Sequence, residues 1–242
     1  MTLIYKILDV LFPRRCPICH EIVDKRGEIV CPECRKKPAY VKEPYCIKCG
    51  KQLKNPEKVY CSGCEGGNVP FEEGRAVFIY DDIMRKSIYR FKYNSRKEYA
   101  RFYAEEMFKK YGNKIRIWNP DIIIPIPLHK SKQRTRGYNQ AYLIAKELSY
   151  LTKIPVKDNI LIREKRTEKQ KKLGSKARRN NLKSAFKMRP NGVQYSSAML
   201  IDDIYTTGAT MMSATDALKC GGISQIYVLS LSIGVDIQED LL

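Results

Sequence analysis

Asp202 and Asp203 stand side by side at the end of the apolar run Ala198–Ile201, and the chain continues Ile204-Tyr205-Thr206-Thr207-Gly208-Ala209-Thr210. An apolar run of this kind, bounded by turn residues, reads as a buried parallel strand, and the periodic segment Ala209–Leu218 reads as a helix. The loop between them then lies at a helix N-terminus, where free backbone N–H groups and the positive end of the helix dipole favour an anion. Gly208 permits close backbone approach, and the threonines add hydroxyl donors. Two carboxylates next to such a cradle would repel a bare polyphosphate. They suit the hydroxyls of a sugar, or hydrated Mg²⁺. A phosphorylated ribose meets all three conditions. Adjacent acids after a strand also occur in phospho-acceptor receiver domains, which place them near the start of the domain.

The second set able to do chemistry is sulfur. Eight of the nine cysteines form four C-x-x-C pairs, Cys16/Cys19, Cys31/Cys34, Cys46/Cys49 and Cys61/Cys64, whose first members are fifteen residues apart. Two such turns facing each other supply four thiolates in the tetrahedral arrangement that Zn²⁺ prefers. Two structural zinc sites are therefore expected, Cys16-Cys19-Cys31-Cys34 and Cys46-Cys49-Cys61-Cys64, with crossed pairing as the alternative. Four thiolates leave no open position for water, so zinc catalysis is not expected. Redox pairs or a disulfide framework compete, but the even spacing and a reducing compartment favour metal. Cys220, before Gly221-Gly222, is expected to be a buried packing residue.

The elements that must position these groups are legible in outline. Over 242 residues there is room for a sizeable core, and a boundary near residue 70 is expected, where the cysteine pairs stop. Arg75–Tyr80 reads as a strand, Met84–Tyr93 and Ser95–Tyr111 as helices, and Asp121–Pro127 as a buried strand ended by its prolines. The basic stretch Leu128–Gly137 then runs into a helix over Tyr138–Leu151, so a second anion site is expected at a strand end. In an open parallel sheet such loops gather at the carboxyl edge of the strands, where this one can face Asp202. Leu3–Phe12 is broken by Lys6 and Asp9 and reads as a short docking helix. It is not a convincing signal peptide or transmembrane segment, and the cytoplasm is the default compartment.

Charge narrows the partners. The chain carries 45 Lys plus Arg against 26 Asp plus Glu, a formal net charge of +19. Twelve basic residues and two acids fall between Arg163 and Arg189. That density favours contact with a diphosphate or a nucleic acid over a merely solvated surface.

Two resemblances follow from these residues. The block Leu200–Thr210 resembles the signature loop of type I phosphoribosyltransferases, which bind 5-phosphoribosyl 1-diphosphate (PRPP) with Mg²⁺. It implies that Asp202 and Asp203 hold the ribose hydroxyls and are the catalytic candidates, and that Thr206, Thr207, Gly208, Ala209 and Thr210 cradle the phosphate. Over nearly its full length the chain also resembles the ComF family of late-competence proteins. The residues that carry this likeness are Leu11-Phe12-Pro13, Phe91-Lys92-Tyr93, Pro125-Ile126-Pro127-Leu128-His129, Arg136-Gly137-Tyr138-Asn139-Gln140, Arg163 with Thr167 and Gln170, Arg178 with Asn181, and Ala185-Phe186.

The fold implied is α/β, a type I phosphoribosyltransferase-like parallel sheet flanked by helices over residues 71–242. A small N-terminal double zinc-ribbon domain would occupy residues 1–70. Lys130, Arg134, Arg136 and Gly137 would belong to the diphosphate loop, and Arg163, Arg166, Gln170 and Arg178 to a mobile basic catalytic loop. His129 is read equally as a loop-stabilising hydrogen-bond partner and as a catalytic group. Two functions from different classes follow. One is binding of PRPP and single-stranded DNA during DNA uptake for natural transformation, with the uptake machinery as a partner. The other is transfer of phosphoribose from PRPP to a base or amine. Tyr89, Phe91 and Tyr93 offer stacking faces for bases, with core packing their expected fate.

Overall fold

The computed structural model describes residues 13–23, 28–163, 185–189 and 194–235. The expected docking helix and Arg166, Gln170 and Arg178 lie outside these residues. Among them run six strands, β1 (Glu73–Ile79), β2 (Ile122–Pro125), β3 (Leu161–Arg163), β4 (Phe186–Met188), β5 (Ser197–Tyr205) and β6 (Gln225–Ile233). Five α-helices accompany them, α1 (Asp82–Tyr93), α2 (Tyr99–Trp118), α3 (Lys130–Arg136), α4 (Gln140–Thr152) and α5 (Ala209–Cys220).

Four strands form one parallel sheet in the order β1-β6-β5-β2, while β3 and β4 make a separate antiparallel pair. The apolar run before Asp202 becomes β5, one of the two inner strands, because it can be buried on both faces. Ala198 and Leu200 pack with Ile122, Ile124 and Val228 on one side, and Met199 and Ile201 with Ile123, Leu229 and Leu231 on the other. In α1 the buried residues Met84, Ile88 and Phe91 line one face, with Asp81 capping the helix by accepting from the Met84 amide at 2.9 Å.

The cysteine ribbons do not form a core of their own. Cys16, Ile18, Val30 and Cys34 join the cluster that holds Ile88, Tyr99 and Tyr103, whereas Cys46, Cys49, Leu53, Cys61 and Cys64 join the cluster on the opposite sheet face. The chain crosses between them along the free edge of β1, where Ile79 N–H donates to the Ala39 carbonyl at 2.7 Å and Val41 N–H to the Val77 carbonyl at 3.0 Å. That crossing covers an edge that would otherwise expose unpaired backbone groups. Polar contacts fix both ribbons to the sheet layers. Ser87 Oγ donates to the Pro17 carbonyl at 2.5 Å and Arg90 Nη1 to that of Ile18 at 3.1 Å. On the other face Gly74 N–H donates to the Lys48 carbonyl at 2.6 Å.

Three local expectations are corrected. The basic stretch read as a loop contains a seven-residue helix, α3, capped by His129, whose Nδ1 accepts from the Ser131 amide at 3.2 Å. Gly137 ends it with a φ of 76°, and Arg134 and Arg136 lie in its last turn, where cations complement the helix dipole. The following helix accordingly starts at Gln140, with Asn139 as its cap. Cys220 is exposed, because Leu218 takes the inward position at the end of α5.

Candidate functional site at the carboxyl edge of the sheet

Asp202 and Asp203 are the sixth and seventh of the nine residues of β5, and the chain then turns through Thr206 and Thr207 into α5. Gly208 caps that helix with a φ of 77°. A Cβ at this position would lie 2.1 Å from the Tyr205 hydroxyl oxygen, so the turn requires glycine for conformation and for space. Tyr205 is buried in the cluster that contains the four cysteines of the second ribbon. Its ring thus bears on the anion loop from one side and on the zinc ribbon from the other. Thr206 and Thr207 are exposed, Thr210 is half-buried, and Gly208 and Ala209 are buried. The Met212 amide is already bonded to the Gly208 carbonyl at 2.8 Å, which leaves the first-turn amides of α5 as the donors that a phosphate would meet.

The two acids differ in their surroundings. Asp203 is buried and receives both of its main contacts from Lys92 near the end of α1, with Nζ 2.9 Å from Oδ1 and 2.8 Å from Oδ2. Asp202 instead accepts, through Oδ1, from the Asp203 amide at 2.9 Å. Burial, reinforced by the Asp203 charge, pushes its carboxyl up to about 7 in spite of Lys92, the Asp203 amide and Arg163, which pull the other way. Arg163, the last residue of β3, is therefore close enough for its charge to act on Asp202, and its guanidinium lies over the Phe186 ring at 5.3 Å.

Lys92 was not assigned a role from the sequence. Between Phe91 and Tyr93 no local signal indicates that this lysine reaches an acid 111 positions later. The neighbouring Tyr93 extends the connection. Its hydroxyl accepts from Arg136 Nη2 at 3.0 Å, and Arg136 Nη1 donates to Gln140 Oε1 at 3.0 Å. The end of α1 thus links the acid pair on β5 to the basic helix α3. Of the expected diphosphate-loop residues, Arg136 is half-buried in this link, while Lys130, Arg134 and Gly137 are exposed. Tyr138 is packed, with its hydroxyl donating to the Phe91 carbonyl.

The raised carboxyl has a testable consequence. An unfolded aspartate titrates near about 3.9. Between that value and about 7 the folded state holds a proton that the unfolded state has released, so stability falls as pH rises through this window and the full cost is present above it. Asp202→Asn removes the titration. Thermal melting of the unliganded protein should show the variant more stable than the parent at pH 8, with the two converging toward pH 4. Parallel curves across that range would contradict the assignment.

The cysteines meet as two sets, Cys16-Cys19-Cys31-Cys34 and Cys46-Cys49-Cys61-Cys64, in each of which the sulfur atoms all lie within 4.8 Å of one another. This is sequential pairing. Separations of 3.6 Å for Cys19–Cys31, Cys16–Cys31 and Cys49–Cys61 are close to the roughly 3.8 Å edge of a tetrahedral zinc–thiolate site. The donor set fits structural zinc, and in the second site all four cysteines are buried.

A family model described as a double zinc ribbon domain matches residues 7–65. Over 200 residues the chain is 30% identical to Competence protein ComFC of Bacillus subtilis, covering 80% of this chain and 79% of that protein. It is 41% identical over 115 residues to Competence protein F of Haemophilus influenzae, which is 47% of this chain and only half, 50%, of that relative's length. Among solved structures, a purine phosphoribosyltransferase from Pyrococcus horikoshii covers 55% of this chain and 73% of its own, at 16% identity and a TM-score of 0.35. Among the described residues no helix is long and apolar enough to cross a membrane.

Proposed function

Since the chain belongs to the ComF family of competence proteins, we propose that it binds PRPP with Mg²⁺ at the carboxyl edge of its sheet and engages single-stranded DNA during uptake for transformation. The observation that carries the PRPP reading is the succession of a two-acid strand end and a glycine-headed helix N-terminus, held in one rigid turn by Tyr205 against Gly208. The first-turn amides of α5, with Thr206, Thr207 and Thr210, would take the 5-phosphate. Asp202 and Asp203 would accept hydrogen bonds from the ribose hydroxyls, with Lys92 keeping Asp203 in position. Mg²⁺ would supply charge neutralisation at the diphosphate. Lys130, Arg134 and Arg136 on the second carboxyl-edge segment would add to that neutralisation, as would Arg163 beside Asp202.

The DNA reading is supported by the net charge of +19 and by the basic residues that border the site. The family's work in competence would place the protein in the cytoplasm, where the incoming strand emerges.

A second reading, transfer of phosphoribose to a base or amine, is favoured by Arg163. A guanidinium near the acids could stabilise charge on departing diphosphate as the anomeric carbon–oxygen bond breaks, with that electron pair leaving on the diphosphate. Diphosphate release from PRPP offered with a panel of bases and amines decides this: release that depends on an acceptor establishes transfer, and none leaves binding alone. Binding itself is tested by calorimetric titration with PRPP and Mg²⁺. Saturable binding that inorganic diphosphate competes with supports the proposal, and no heat at millimolar ligand opposes it.

A further inference from the structure

Helix α1 exposes two tyrosines. Its inward face is filled by Met84, Ile88 and Phe91, yet Tyr89 and Tyr93, one helical turn apart, remain 58% and 51% exposed. Their ring centroids are 4.9 Å apart with planes inclined at 45°, so they form a single aromatic surface rather than two stray side chains. The Arg136 guanidinium carbon lies 5.0 Å from the Tyr93 ring centroid, and its Nη2 bonds the Tyr93 hydroxyl at 3.0 Å. That guanidinium fixes the ring at the border of the site and brings positive charge to its edge. Lys86, exposed on the preceding turn, extends the cationic border, with Arg85 beside it in an exposed ion pair with Asp82 at 3.0 Å. Lys92, between the tyrosines in sequence, turns inward to Asp203, so one helix end carries both the exposed rings and the contact to the acid pair.

We infer that Tyr89 and Tyr93 form a stacking platform for the bases of single-stranded nucleic acid, with Arg136, Arg85 and Lys86 holding the adjacent phosphates. The inference rests on the DNA reading above and assigns it a surface. Charge complementarity selects the occupant. An exposed aromatic pair bordered by cations matches a chain that alternates flat bases with anionic phosphates, whereas a purely apolar partner would have to bury those cations. A duplex hides its base faces and would not use the rings.

The experiment measures fluorescence anisotropy of the full-length, zinc-loaded protein with a labelled oligo-dT of about 16 nucleotides and with an abasic strand of equal length. Tyr89→Ala/Tyr93→Ala should weaken oligo-dT binding by at least about tenfold. Binding to the abasic strand should fall much less, and the slope of affinity against salt should be unchanged, since every cation is kept and Arg136 loses only its Tyr93 partner. Tyr89→Phe/Tyr93→Phe should recover most of the lost affinity, and thermal melting controls for folding. If wild-type protein binds neither strand, the DNA reading fails and the platform with it. If it binds oligo-dT and the alanine variant binds equally well, or loses abasic binding in the same proportion, the platform alone is overturned.

Discussion

Chelation of zinc is expected to unfold the sheet together with the ribbons, in one transition. The two cysteine sets belong to the hydrophobic clusters on the two faces of the same sheet, and the segment joining them covers the edge of β1. Structural zinc in small ribbons contributes about 10–16 kcal/mol of apparent binding energy, while whole domains are stable by only about 5–15 kcal/mol. Loss of the second site would also release Leu53, Val69 and Phe71, which are buried beside it. Burial of each such side chain is worth about 1.5–3 kcal/mol. Metal analysis of the native protein should therefore return two zinc ions per chain. After removal by a strong chelator, or in Cys49→Ser, circular dichroism should show loss of helix and sheet signal well beyond the ribbon residues. A chelated protein that keeps its native spectrum and melting temperature would show that the ribbons are independent appendages.

Gly208→Ala is expected to abolish PRPP binding, with a weakening of at least about a hundredfold, and to cost the fold a few kcal/mol. Two penalties add. A non-glycine residue at a φ of 77° pays about 1–2 kcal/mol, and overpacking in a filled interior costs about 1–3 kcal/mol more. The atom in the way is the Tyr205 hydroxyl oxygen at 2.1 Å, and the ring cannot swing aside because it is packed in the second-ribbon cluster. Relief must then come from the backbone of the anion loop, which re-aims the amides that would hold the phosphate. Tyr205→Phe in the same chain should not rescue the variant, since the ring carbon behind the hydroxyl would still lie at 2.6 Å. Urea melts and calorimetric titration check both halves. Unchanged PRPP affinity in Gly208→Ala would mean that the phosphate is held elsewhere.

What the sequence made legible and what it hid divide along physical lines. The strand before Asp202, the helix after Gly208 and the four C-x-x-C pairs are local signals, written in apolar runs, a glycine and a fixed spacing. Each was readable because the chemistry needs those residues close together in the chain. Lys92 and Tyr205 were not readable in this way. Lys92 earns its place through an acid on another element, and Tyr205 through a glycine in front and a ribbon behind, which no window of sequence contains. The basic stretch after His129 shows its charge in the sequence but not its conformation, because seven polar residues carry no apolar period to mark a helix and the local signs reduce to the cap and Gly137. The double zinc ribbon was legible from its cysteine spacing, but how it attaches to the sheet was not. Its incorporation into both sheet faces depends on contacts such as Ser87 to Pro17, made across 70 positions.

In the function proposed above, the acid pair and the glycine-headed helix form one PRPP site. Its most direct test is a calorimetric titration of Asp202→Asn/Asp203→Asn with PRPP and Mg²⁺, beside the parent protein and with melting curves as the folding control. The variant keeps the side-chain volumes and loses both acceptors of ribose hydroxyls. The variant is expected to fold and to have lost measurable PRPP binding. A folded variant that binds PRPP as tightly as the parent would contradict it.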